Sequence, residues 1–371
     1  LNALKAVGGE TGDLSALPGL LAAMETAMPE EKRTAAFYLG LAKEQAAVGN
    51  LAEATRLHGL GAAKLDAAAR TAENLKWADQ LSKAARQLTA AGKTEQAAGL
   101  LAEAKNLATA AFQAAPGLEA LSVVAGVRDS ANDFSSMSAA VAQVDGATTG
   151  AARSGEFCAA LAARFAEDRQ IAAAVRLQAE AAGKLTGEPR AAALDALATL
   201  ALRLGAAAES LNDEETATAA YTQATGALKS LETETAEAKR DAAFYLGLAR
   251  SFSTAGQYAD AARVHALGLE RLAAAERPAE AAHWARNRAE LGCSLRLAGK
   301  VAQADALFAE ARALAMSQFE AAPSLETFAV VERVCGLAND ETTIAVTLAI
   351  LDRSVAGAAR TLEFTKALAE R

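Results

Sequence analysis

The sequence predicts an all-α protein built from repeated helical hairpins, and three observations carry that prediction. Hydrophobic residues make up 52% of the chain but aromatics only 5%, because alanine supplies most of the apolar count. The octapeptide Ala35-Ala36-Phe37-Tyr38-Leu39-Gly40-Leu41-Ala42 recurs, 207 residues later, as Ala242-Ala243-Phe244-Tyr245-Leu246-Gly247-Leu248-Ala249. Inside that long repeat a shorter one places turn residues at 49, 92, 132, 169, 212, 256, 299 and 339, about 37 to 44 residues apart.

Alanine favours helix because it loses no side-chain entropy and hides no polar group. It also buries little area, so each helix must lie close to several neighbours. The long offset holds without a gap. Gly49 meets Gly256, His58 meets His265, Trp77 meets Trp284, Pro116 meets Pro323, and Arg153 meets Arg360. Roughly 60 of about 135 aligned pairs are identical, more than a shared alanine bias gives. The block is a duplication.

Each short repeat reads as a helix, a tight turn and a second helix. Leu248-Ala249, Phe252, Gly256, Tyr258 and Ala261 carry the pattern most clearly, and Leu291-Gly292, Leu295, Gly299, Val301 and Ala304 repeat it. Small residues allow close approach, and glycine takes the left-handed turn geometry that other residues resist. Pro29, Pro116, Pro189, Pro278 and Pro323 fall where one hairpin should end and the next begin, a position that tolerates a missing N–H. Five hairpins make one block, and about nine make the chain.

This arrangement resembles the tetratricopeptide repeat, and its spacing is closest to the long variety of about 42 residues seen in kinesin light chains and many bacterial signalling proteins. Armadillo- or HEAT-like hairpins are the alternative where Asn or Arg replaces the turn glycine. The resemblance implies a right-handed α-α superhelical solenoid. The expected organisation is an N-terminal segment at 1–29 that ends a preceding or capping repeat, a first block at 30–236, and a second copy at 237–371. Arg371 aligns with Arg164 in mid-hairpin, so the parent protein is expected to continue.

The net charge of −8 is spread through the chain and gives no basic stripe for nucleic acid. The most apolar run, Thr342 to Leu351, is short for a membrane span, so insertion is not expected. Cys158, Cys293 and Cys335 are far apart and read as buried free thiols rather than a disulfide framework or zinc site. The compartment stays open.

Catalytic candidates are few. Gly92-Lys93-Thr94 looks like the tail of a phosphate loop, but Gln87 stands where the first glycine belongs and no strand precedes it. His58, His265 and His283 lack ligand partners in register. Trp77 and Trp284, near the start of first helices, suit either packing between hairpins or a partner anchor. No cofactor or metal is expected, and no enzymatic constellation appears.

The repeat frame instead puts Lys43, Arg86, Arg250, Arg296 and Arg333 on the concave face, together with Asp79 and Glu119. Such a modestly basic groove suits an acidic peptide or carboxylate, the competing reading being a solvated face of ordinary charge. The leading expectation is therefore a non-catalytic scaffold or regulatory arm with a protein or peptide partner. The alternatives are a structural subunit that self-associates into a filament or lattice, and the sensor arm of a larger signalling enzyme.

Overall fold

The computed structural model describes residues 17–354 apart from 48, 134 and 136, together with 365–366. The expected extension past Arg371, the mirror residue Arg360 and most of the 1–29 segment lie outside the described residues, as does Phe134 of the 132 repeat. Among the described residues all regular structure is helical. The chain divides into two compact units, Leu1–Lys184 and Leu185–Arg371.

In the first unit, helix α1 (Leu17–Ala27) precedes the hairpin of α2 (Ala35–Ala47) and α3 (Leu51–Ala63). Then come α4 (Ala67–Ala90) with α5 (Thr94–Ala114), α6 (Leu118–Ser130) with α7 (Ser138–Ala147), and α8 (Gly155–Glu167) with α9 (Ile171–Lys184). The second unit pairs α10 (Gly187–Ser210) with α11 (Glu214–Glu234) and α12 (Ala242–Thr254) with α13 (Tyr258–Arg271). It continues with α14 (Arg277–Leu297) and α15 (Val301–Ala321), then α16 (Leu325–Ala338) and α17 (Glu341–Ser354). Helices α2 and α12, like α5 and α15, begin and end 207 residues apart.

All eight turn positions read from the sequence have positive φ: Gly49, Gly92, Asn132, Arg169, Asn212, Gly256, Gly299 and Asn339. At each, the next residue's N–H reaches back five positions to close the first helix, as Gln257 does to the Phe252 carbonyl at 2.9 Å and Gln170 to Phe165 at 2.8 Å. Asparagine is the usual substitute for glycine here, whereas Arg169 carries a Cβ penalty. Starts are capped too. Asp66 and Asp241 accept from Ala69 N and Phe244 N, each at 2.8 Å, and Ser324 forms a capping box with Thr327.

A second recurrent device joins consecutive hairpins. Arg240 donates through Nε to the Thr235 carbonyl and through Nη2 to the Thr233 carbonyl, both at 2.7 Å, closing the C-terminus of α11. Arg277 does the same to Leu272 and Glu270 at 3.0 and 2.8 Å, and Arg33 to Met28 and Thr26 at 2.8 and 3.3 Å. Arg70 reaches the Leu65 carbonyl at 3.1 Å. A guanidinium is well placed there, since the last carbonyls lack helical partners and carry the negative end of the dipole.

The cores are thin and alanine-rich. Ala42, Ala54, Ala78 and Ala85 are fully buried in the first copy, as are Ala249, Ala261, Ala285 and Ala289 in the second. Close approach is enforced where glycine meets a ring or branched chain. A Cβ on Gly205 would lie 2.6 Å from the Tyr221 ring, and one on Gly268 would lie 2.8 Å from Leu246. One correction concerns apolar length: α10 alone among the described helices is long and apolar enough to cross a membrane. Its Leu194, Leu197, Ala201 and Gly205 are buried within the helical core.

Candidate partner-binding face

Successive first helices lie side by side, as contacts at repeat spacing show. Ser82 on α4 and Ser130 on α6 share a hydrogen bond of 2.7 Å, and Arg164 on α8 donates to Ser122 on α6 at 3.2 Å. In the second unit the Cys293 thiol donates to the Leu337 carbonyl at 3.5 Å, and Arg333 reaches Glu290 at 3.4 Å. The exposed positions of these helices make up the candidate face, a first-helix ridge in each unit.

The candidate residues divide between the units. Lys43, Arg86 and Glu119 are exposed on α2, α4 and α6, and Asp79 pairs within α4 with Lys83 at 2.6 Å. In the second unit Arg250 is 61% exposed and 4.0 Å from Glu280, while Arg333 is 57% exposed. Arg296 is turned differently. Its guanidinium sits 4.3 Å from the Phe308 ring and 3.3 Å from Asp305, both on α15, so its own hairpin occupies it. The repeat frame did not single out Arg286, which is exposed on α14, the first helix that follows Arg250's and precedes Arg333's.

Behind the ridge lies a polar cluster. His265 stacks on Trp284 with centroids 4.2 Å apart, and His58 stacks on Trp77 at 4.8 Å. Both tryptophans lie further into their helices than the sequence suggested, because α4 starts at Ala67 and α14 at Arg277. Burial, joined by the Arg288 and Arg250 cations, pushes the His265 imidazole down to about 4. Burial lowers His58 too, with Glu73 opposing.

Arg288 is 1% exposed. It lies 4.2 Å from the Trp284 ring and donates to Glu310 Oε1 at 3.2 Å, Ser253 Oγ at 3.0 Å and the Tyr258 carbonyl at 3.3 Å. Glu310 also accepts from Trp284 Nε1 at 3.1 Å. Burial lowers the Arg288 pKa and Glu310 opposes that shift, which keeps the cation paired. Sequence reading missed this residue because its 207-offset partner is Leu81, so no repetition marked it.

The other candidates resolve locally. Gly92 has positive φ and closes α4, and Thr94 starts α5. Cys158 and Cys335 are buried, with the Cys335 thiol pushed up by burial to about 11. Among the described residues no three His, Cys, Asp or Glu side chains converge as a metal site.

No family model matches the chain, and no curated protein matches it. Solved structures do. A monomeric mutant of IFIT1 with m7Gppp-AAAA is 12% identical, over 94% of this chain and 88% of that one, at a TM-score of 0.31. The human IFIT1 dimer with m7Gppp-AAAA is 12% identical, covering 95% and 89%, at 0.27. The Cut9–Hcn1 hetero-tetramer of the APC/C is 14% identical, covering 90% of this chain and 58% of that chain, at 0.23. The fold assignment rests on the helices themselves.

Proposed function

We propose that this chain is a tetratricopeptide-like, non-catalytic scaffold whose first-helix ridge binds an acidic protein segment, the second copy of the block (237–371) being the stronger binder. The observation that carries this reading is the run of exposed guanidinium groups Arg250, Arg286 and Arg333 on three successive first helices. Among the described residues Arg250 and Arg333 have single, long ion pairs, 4.0 and 3.4 Å, so a carboxylate ligand displaces little. The polar cluster behind them ties α12–α13 to α14–α15 through Arg288, and a tied scaffold lowers the ordering cost of binding. Arg296 belongs to the packing of its own hairpin and is left out of the face.

The test is fluorescence anisotropy with a panel of Glu/Asp-rich and Lys/Arg-rich peptides. The acidic peptides should bind, more weakly as salt rises, and R250E/R333E should abolish binding while leaving the helical circular dichroism intact. Equal binding by the reversed variant would overturn the reading.

A further inference from the structure

A long duplication creates a pairing problem. The hairpin α2–α3 belongs against α4, yet α14 offers it a closely similar surface, and the reverse holds for α12–α13. The His–Trp stack cannot discriminate, because both copies carry it. Glu103 and Glu310 are also equivalent. The difference lies beside the stack. In the second copy, Arg288 on α14 bonds across the hairpin interface to Ser253 Oγ and the Tyr258 carbonyl, and its guanidinium lies 5.8 Å from the Tyr258 ring. The first copy has Ala46, Leu51 and Leu81 at these three positions. Leu81 is 1% exposed in an apolar core against which Ala46 packs.

We propose that Arg288, Ser253 and Tyr258 form a pairing code, by which each copy's hairpin interface accepts its own neighbour and rejects the other copy's. Docking α2–α3 on α14 would set Ala46 against a buried guanidinium and remove its hydroxyl acceptor. Docking α12–α13 on α4 would set the Ser253 hydroxyl against Leu81 and take away the guanidinium N–H from which its oxygen accepts. Each mismatch removes the Arg288–Ser253 hydrogen bond and sets an apolar side chain against a polar one, whereas the matched apolar and matched polar sets avoid this. Specificity then comes from the penalty on the wrong pair, not from extra stability in the right one.

Three variants of the full chain test this by unfolding and refolding across a range of concentrations, with light scattering behind gel filtration. S253A/Y258L/R288L gives both copies the apolar set, and A46S/L51Y/L81R gives both the polar set. A six-fold exchange carries the two sets in swapped positions. The two uniform variants should each return about ten times the wild-type share of misassembled species with native helicity, the factor one charge-assisted hydrogen bond corresponds to. The exchange variant should refold with wild-type yield. Wild-type yield from the uniform variants would overturn the proposal. So would an exchange variant that misassembles as much as they do, since that would make the effect one of stability alone. If A46S/L51Y/L81R does not fold, the apolar uniform variant S253A/Y258L/R288L decides alone: a raised misassembled share supports the proposal, and wild-type yield overturns it.

Discussion

Beside equivalent His–Trp stacks, the hairpins α2–α5 bury Leu81 where the hairpins α12–α15 bury Arg288. In the first copy Trp77 Nε1 has no acceptor among the described residues, and in the second Trp284 Nε1 donates to Glu310. One backbone thus holds two cores, one apolar with an orphaned indole N–H and one polar with its cation paired. The lesson is that burial position does not decide polarity here. What decides is whether the facing hairpin supplies the side-chain partner, as the Ser253 hydroxyl and the Tyr258 ring do and Ala46 and Leu51 do not.

The comparison breaks most sharply under single exchanges. L81R puts a guanidinium into the apolar site without the Ser hydroxyl and should cost about 3–5 kcal/mol of unfolding free energy, the range for a buried unpaired charge. R288L leaves Glu310 without its cation and should cost less than L81R, about 1–2 kcal/mol, because that carboxylate keeps the Trp284 indole N–H and is partly exposed. Urea titrations of the two variants measure both. A loss on R288L as large as that on L81R would end the matched-set account.

Acid sharpens the contrast. The folded chain holds His265 near 4, against 6.5 for an ordinary imidazole, so between these values only the unfolded chain takes the proton. Stability is complete above about pH 6.5 and falls towards pH 4, by about 3 kcal/mol in all. H265Q should flatten that part of the urea-midpoint profile.

Smaller effects test the shared frame. G205A should cost about 2 kcal/mol, because Tyr221 lies where the methyl would go. R240A should cost about 1 kcal/mol by freeing the last carbonyls of α11. R169G should gain about 1 kcal/mol by removing a Cβ from a left-handed turn. Thermal unfolding ranks all three.

The turn frame was legible because left-handed closure leaves a residue signature, glycine or asparagine at hairpin spacing. Even Arg169 was found, since its neighbours fixed the register. The direction of a long side chain is not legible in the same way. A helical frame gives the direction of a Cβ, but the guanidinium of Arg296 lies several bonds beyond it, and the Phe308 ring and Asp305 draw it to α15. Arg288 was invisible for the opposite reason. Its partners come from a hairpin about 30 residues earlier, and its equivalent in the first copy is a leucine. The junction arginines do leave a mark, Arg33 to Arg70 and Arg240 to Arg277 at 37 residues, but it lies outside the apolar periodicity.

The most direct test of the binding face is hydrogen–deuterium exchange with and without a saturating Glu/Asp-rich peptide. Added protection on α12, α14 and α16, with the second helices α13, α15 and α17 unchanged, is the predicted result. Protection confined to the second helices, or none at saturation, would contradict a first-helix binding ridge.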